Sequence, residues 1–439
     1  MSQNEIANNG WDLIAAASQK ALNEQLAKIH PVTLKKQIEM ELLGSKEKVD
    51  VDLVFNGPEL RVRDGSGRQV DVLLPVQGTV KVDGILKANI VIPKGEKVTV
   101  TTELMQIENK LVPHPDEKQT NYDLMIDFKS EKAIVDMKLN IPTADLAFLI
   151  ETMKVLVQKE LHGGKEYKVA SFALSNEKAK EYKSLIPHTA DFSFVQDVKD
   201  PGRSNLLVLM QSVSEGKPDG GILFKKPLLA SNQDFMVLAS NKLFLEHFVL
   251  PPLIENLKKN AKDGDSLPKT MLIKKVGGSD SELYQLYNKS NINLSFDHDP
   301  WIDTMTAEID TTEKALYFNL LVKVDATFIH IHGSAWDKSW QQFQVDQAKQ
   351  TVTLKQIKED KGKDTSMEWW KWLLACLDWI VLLVVGIIYA VVENKITDLG
   401  GTFVQTAPLV VQWPNQKYVS LKGMSTPSHV VLDLDVHFS

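Results

Sequence analysis

Residues 45–55 read SKEKVDVDLVF, in which Val49, Val51 and Leu53 alternate with Lys48, Asp50 and Asp52. A period of two sends successive side chains to opposite faces of an extended chain, so the segment predicts a strand with one apolar and one charged face. The same alternation extends outward for more than a hundred residues, through Leu60 and Val62, Val70 and Val72, Val80 and Val82, Val98 and Val100, Tyr122 to Phe128, and Ala133 to Ile141. Asn56-Gly57-Pro58, Asp64-Gly65, Asp83-Gly84 and Lys94-Gly95 punctuate it, which predicts an antiparallel meander joined by tight turns. Such a sheet has a wide apolar face that something else must cover.

The cover is sought in helical periodicity. Trp11, Ile14, Ala17, Ala21, Leu22 and Leu26 recur at three- and four-residue intervals, which predicts one amphipathic helix from Asn9 to Lys28, with Asn9 as N-cap and Pro31 as its stop. A second helix is predicted from Asp145 to Leu161. The plan then repeats from Met236, where Leu243, Phe244, Phe248, Leu250, Leu253, Ile254 and Leu257 form the apolar face of a helix that Pro251 and Pro252 should kink or break. Alternation resumes in Asn293–Phe296, Trp301–Ile309, Leu316–Val324 and Thr351–Ile357, and Tyr418–Met424 and Val430–Phe438 read as closing strands. The charged segment EDKGKDTS, Glu359–Ser366, reads as a linker. The expected class is α+β, in two pseudo-repeated halves, 1–235 and 236–439, each a helix followed by a meander.

Residues 369–392, WWKWLLACLDWIVLLVVGIIYAVV, carry only Lys371 and Asp378 as charges. As a helix they would run roughly 36 Å, long enough for a hydrocarbon core of about 30 Å. The uninterrupted apolar run is only Trp379–Val392, Asp378 is costly at a bilayer centre, and strand-like residues follow. A helix enclosed by protein is therefore expected ahead of one that meets lipid or spans a bilayer. Trp369, Trp370, Trp372 and Trp379 gather at its start, where large rings plug an apolar groove or, alternatively, anchor at headgroup level.

The chain has 439 residues, 43% hydrophobic and 24% charged, enough to bury a large core. Its net charge of −7, with Lys and Arg interspersed among acids, argues against a nucleic-acid partner. Cys376 is the single cysteine, which excludes intramolecular disulfides and thiolate metal clusters. The opening MSQNEIANNGWDL has neither the basic nor the apolar region of a signal peptide, so cytosolic synthesis is expected, with release by lysis or dedicated export. Phosphate-binding loops, dinucleotide fingerprints, nucleophile elbows and H-E-x-x-H are absent from the sequence, and no enzyme activity or cofactor is expected. His330 and His332 would share a strand face but lack the further ligands a metal wants, so no metal site is expected. His114-Pro115-Asp116 reads as turn chemistry, Asp299 and Asp303 as strand-end acids, and Trp336 and Trp340 as packing residues.

The opening NNGWDLIAAASQKALNEQL, the later SNKLFLEHFVLPPL and the W-W-x-W start of the apolar stretch resemble the bacterial tubular lipid-binding (TULIP-like) proteins found beside clostridial neurotoxin genes, the OrfX proteins among them. Asn9-Gly10-Trp11-Asp12 and Lys242–Leu253 carry most of the likeness, which covers essentially the whole chain. The resemblance implies an elongated molecule of long helices wrapped by strongly bent antiparallel sheets, and no catalytic residues. It implies a non-enzymatic lipid- or membrane-binding accessory protein of a toxin gene cluster. The lipid-contacting residues would be Trp379, Ile380, Leu383, Val384, Ile387, Ile388, Phe244 and Phe248 along the helix–sheet seam. The alternatives are a scaffold or chaperone-like component with a filled core, bound to other proteins of the locus, and a membrane-inserting toxin component.

Overall fold

The computed structural model describes residues 6–42, 45–63, 65–83, 87–110, 118–161, 167–175, 187–212, 218, 221–277, 281–295, 299–326, 331–365 and 411–439. Leu13–Ser18 is a strand buried at all six positions, and a helix begins only after it, over Gln19–Leu26. The single helix expected from Asn9 to Lys28 is thus corrected. Leu13, Ala15 and Ala17 enter the main core, while Ile14 and Ala16 enter a second core on the opposite face. A strand buried on both sides reads as a continuous apolar run, and periodicity cannot separate that from a buried helix.

Leu13–Ser18 lies near the middle of a seven-stranded antiparallel sheet. The order is Gln416–Ser425, Val430–Phe438, Phe235–Ala239, Leu13–Ser18, Asn205–Gln211, Thr189–Val195 and Ser66–Gly67. Leaving aside the short edge strand, the order is symmetric about the pair Leu13–Ser18 and Phe235–Ala239. Phe235–Ala239 also runs into a helix. Ser18 Oγ accepts from Ala21 N at 3.1 Å and Ser240 Oγ accepts from Leu243 N at 3.1 Å, so both helices begin on the same serine cap. The second helix does not end at its prolines. It runs as α over Asn241–Phe244, as a π-helical stretch over Leu245–Val249, and as α again over Leu250–Lys258. Pro251 and Pro252 have no N–H to give the preceding turn, and the wider π spacing just before them accommodates that loss.

Two further antiparallel sheets flank the central one. In the nine-stranded sheet, Gln69–Asp83 makes the bend. Its first part pairs with Lys97–Glu103 and its second with Val49–Phe55. At the turn-over point Gly78 has φ +136°, and a Cβ there would collide with the Asp52 carbonyl oxygen. The third sheet has seven strands and includes Trp301–Asp310, Ala315–Ala326, Ile331–Asp346 and Thr351–Thr365. The last of these absorbs most of the expected linker EDKGKDTS. Lys338 Nζ meets Asp360 Oδ2 at 3.2 Å across the ladder, and the Trp336 ring lies where a side chain at position 362 would be, which leaves room only for Gly362. Cross-strand pairing of this kind stabilises a charged ribbon that composition alone assigns to a loop.

The molecule is mostly β with a curled half-barrel sheet, and the expectation of long helices wrapped by sheets is corrected. Among the described residues the longest uninterrupted α-helix is Thr143–Lys159, with 17 residues. Part of the sequence that looks helical is used by the two central strands instead. One contiguous apolar core runs between the helices and the concave sheet faces, and a smaller one lies behind the central sheet, closed by Ile222, Phe224, Leu228 and Leu229.

Candidate functional site

The helix–sheet seam is packed where it is described. Phe244 is fully buried, stacks on Phe248 at 6.2 Å between ring centroids and meets Phe343 edge-on at 6.0 Å. Leu253, Leu257, Leu286 and Leu316 belong to the same core. These two phenylalanines therefore act as packing rings, giving the second helix its grip on the third sheet. Trp379, Ile380, Leu383, Val384, Ile387 and Ile388 lie outside the described residues, as does the rest of 369–392. No helix among the described residues is long and apolar enough to cross a membrane.

The densest polar chemistry sits where the two halves meet. Asn9 and Gly10 both adopt positive φ, at 52° and 78°, a turn that points the amides of Asn8 and Gly10 inward. Glu282 receives them: Asn8 N donates to Oε2 at 2.7 Å and Gly10 N to Oε1 at 3.0 Å. Trp11 is buried and donates from Nε1 to the Gly221 carbonyl at 2.9 Å. Asp12, 2% exposed, accepts at Oδ2 from Ser212 N at 3.0 Å. On the other side Asn241 N donates to Nδ1 of His429 at 3.1 Å, and Asn241 Oδ1 accepts from Tyr284 N at 2.6 Å. The Asn9-Gly10-Trp11-Asp12 stretch is thus a clasp, holding Glu282 of the second half and Ser212 and Gly221 of its own. Because each of these side chains serves a backbone group, the arrangement ties strands and chain segments together.

Burial sets the titration of this knot. It pushes the Glu282 carboxyl up, against the pull of the amides from Asn8 and Gly10. It pushes the His429 imidazole down to about 4, although the Ile6 backbone favours the charged ring. His247 is also lowered, again chiefly by burial.

Several sequence candidates resolve into ordinary contacts. Asp299 pairs with Lys262 and Asp303 with Lys323, so these acids do not share a site. Trp340 packs at a tilt against Tyr317 with ring centroids 4.7 Å apart, donates to Asp310 Oδ2 at 2.8 Å and carries Lys358 Nζ 4.5 Å from its ring centroid. His330 and His114-Pro115-Asp116 lie outside the described residues. Among the described residues no group of three or more His, Cys, Asp or Glu is arranged to hold a metal.

Sequence reasoning missed a polar cleft of about 700 Å³ lined by Arg61, Arg63, Arg68, Gln69 and Asp71, with Phe194, Gln196 and Pro201. Counting Lys and Arg together hid it: the lysines are dispersed, but the arginines are not. A separate tally of arginine would have found it.

With this geometry in hand, comparison with known proteins separates sequence from fold. The chain matches no described protein family, and no curated protein matches its sequence. Solved structures that match its fold include P47 from Clostridium botulinum A2, at 16% identity over 98% of both chains, and P47 of Clostridium botulinum E1, at 16% identity over 98% of this chain and 99% of that one. The TM-score is 0.66 for each. This chain has the P47 fold. Lipopolysaccharide binding protein also aligns over 98% of the chain, but its TM-score of 0.31 is below the level of a shared fold. The resemblance to P47 that Asn9–Asp12 and Lys242–Leu253 carry in the sequence extends over the whole molecule. In this chain the first segment is the clasp and the second is the helix that supplies the packing rings.

Proposed function

We propose that this chain is a non-enzymatic accessory protein of a bacterial toxin gene cluster, acting by binding lipid or a membrane surface. The observation that carries the reading is the match to P47 along 98% of both chains. The packed seam narrows where the apolar contact falls. Phe244 and Phe248 already satisfy each other, so the contact is assigned to Trp379, Ile380, Leu383, Val384, Ile387 and Ile388 of the apolar stretch. Apolar surface left in water costs about 25 cal/mol per Å², so a segment of that composition is driven toward either protein or lipid. Synthesis in the cytosol with later release belongs to the same proposal.

Solvent extraction of the purified protein followed by mass spectrometry tests it. Stoichiometric lipid is expected, and it should be lost in Val384→Asp while the circular dichroism of the variant stays unchanged. Lipid retained by a folded Val384→Asp protein removes the site assignment. A lipid-free wild type favours the second reading, a scaffold with a filled core, which the tight packing of Phe244, Phe248 and Phe343 supports; other proteins of the locus should then co-purify.

A further inference from the structure

Only four of the chain's 50 Lys and Arg residues are arginine, at positions 61, 63, 68 and 203. Three line the cleft, and the fourth closes the 3-10 turn Pro201–Arg203, whose first residue also lines it. A chain that uses lysine everywhere else has gathered its arginines in one place. Lysine supplies an equal charge, so what this place selects is the planar guanidinium fork, which fits the paired oxygens of phosphate and carboxylate.

The fold builds the cleft rigidly. The loop between strands Glu59–Val62 and Gln69–Asp83 docks on the edge of the central sheet, where Ser66 and Gly67 pair with Val195 and Phe194 and Gln196 N donates to the Gly65 carbonyl at 2.9 Å. Arg68 is fixed by two bonds from Nη2 to the buried Asp191, at 2.8 and 2.6 Å, and by the Phe192 ring 5.7 Å away. Arg61 stands opposite Asp71 in the ladder and donates to Oδ2 at 2.8 Å, while Arg63 Nε lies 3.8 Å from Oδ1. Thr101 Oγ1 donates to that same Oδ1 at 2.7 Å and holds the carboxylate in place.

Structural ion pairing explains one side of each fork and no more. Each guanidinium has five N–H donors, and the carboxylates engage few of them. Asp71 is the only acid among the described lining residues and Asp191 stands behind Arg68, so three guanidiniums are set against two carboxylates and one positive charge is left over. Arg68 Nε is buried with no hydrogen-bond partner. The side chains of Arg61 and Arg63 are 55% and 47% exposed, which leaves their free edges open to a ligand. The volume lies within the roughly 300–1,000 Å³ usual for small-molecule sites.

We propose that this cleft binds a phosphate group through Arg61, Arg63 and Arg68. The phosphate belongs either to a soluble ester or to a lipid headgroup. The site is independent of the apolar stretch, so its fate and that of the lipid-extraction experiment are decided separately.

The test uses the full chain, inorganic pyrophosphate in calorimetry, and phosphatidylcholine vesicles with and without phosphatidic acid in flotation. Arg61→Gln with Arg63→Gln should weaken binding about tenfold or more, as loss of charge-assisted hydrogen bonds does. Arg61→Lys with Arg63→Lys should recover only part of it. The control Lys46→Gln with Lys48→Gln makes the same charge change on a distant strand and should leave binding as it was. Arg63→Gln alone serves if the double variant fails to fold. Pyrophosphate binding lost in the arginine variants assigns a soluble ester; flotation that needs phosphatidic acid and the arginines assigns a headgroup. Absence of binding in both arms overturns the proposal, and so does an equal loss in the lysine control.

Discussion

The first strand–helix unit and the second can be laid over one another residue by residue. Asp12-Leu13-Ile14-Ala15-Ala16-Ala17-Ser18-Gln19-Lys20 corresponds to Asp234-Phe235-Met236-Val237-Leu238-Ala239-Ser240-Asn241-Lys242, with Asp, Ala, Ser and Lys retained. Their hydrogen bonds correspond as well. Ser18 N donates to the Asp234 carbonyl and Ser240 N to the Asp12 carbonyl, each at 2.8 Å. The difference lies in what receives the first helical amide. Gln19 N donates to the Ser204 carbonyl at 2.7 Å, whereas its counterpart Asn241 donates to Nδ1 of His429. A carbonyl does not titrate near neutral pH and an imidazole does, so the same helix start is indifferent to acid in one half and sensitive to it in the other.

The largest test of that contrast is acid stability. His429 has a lower pKa folded, about 4, than the 6.5 of an ordinary imidazole. Between those values the unfolded chain binds a proton that the native chain refuses, so stability falls as the pH drops through this window and the loss is complete below it. The expected loss is about 3 kcal/mol. His429→Gln keeps an acceptor for Asn241 N without the titration, and denaturant melts at pH 6.5 and 4 should show that much less slope in the variant. Glu282, raised by burial, acts in the opposite sense, and His247, lowered, acts in the same sense. His247 is present in the two proteins and drops out of the difference, whereas Glu282 Oε2 lies 3.9 Å from His429 Nε2, so the comparison is made in a Glu282→Gln background. Equal slopes would end the contrast.

A smaller effect separates the two aspartates. Asp12 is buried and bonded to Ser212 N, while Asp234 is exposed and accepts from Ser18 Oγ at 2.8 Å. Asp12→Ala should cost about 2 kcal/mol by leaving a buried amide unpaired, and Asp234→Ala about 0.5 kcal/mol or less. Equal costs in urea unfolding would mean that burial does not distinguish the units. The smallest difference is expected between the caps, where Ser18→Ala and Ser240→Ala should each cost about 1 kcal/mol because each serine accepts one helical amide at 3.1 Å. A clear inequality between them would show that the likeness stops at the strands.

The sequence made the flanking sheets legible because their strands have one wet face. Val49, Val51 and Leu53 alternate with charges, and all three are buried with the charges outside. The central strands were illegible for the opposite reason: with apolar partners on both faces, Leu13–Ala17 and Phe235–Ala239 show no alternation, and the helices after them lend them a false helical period. The repeat itself was visible only as a pattern until the paired serine caps fixed which residues to align. Of the candidate site, Phe244 and Phe248 were recognisable as large apolar residues on a helix, but packing decides whether such rings face a ligand or each other. The arginine cleft joins residues 61–71 to residues 194–201, a proximity created by docking on a sheet edge, and the pooled count of basic residues concealed it.

The reciprocal bonds between Ser18 and Asp234 and between Ser240 and Asp12 have a consequence for assembly. Each half presents the other with the strand that completes its share of the central sheet. Cut from its partner, a half would carry a bare, apolar edge with the right polarity to meet a second copy of itself across a two-fold axis. The single chain thus contains the two-fold geometry of a homodimer interface, with a carbonyl at one helix start and a histidine at the other.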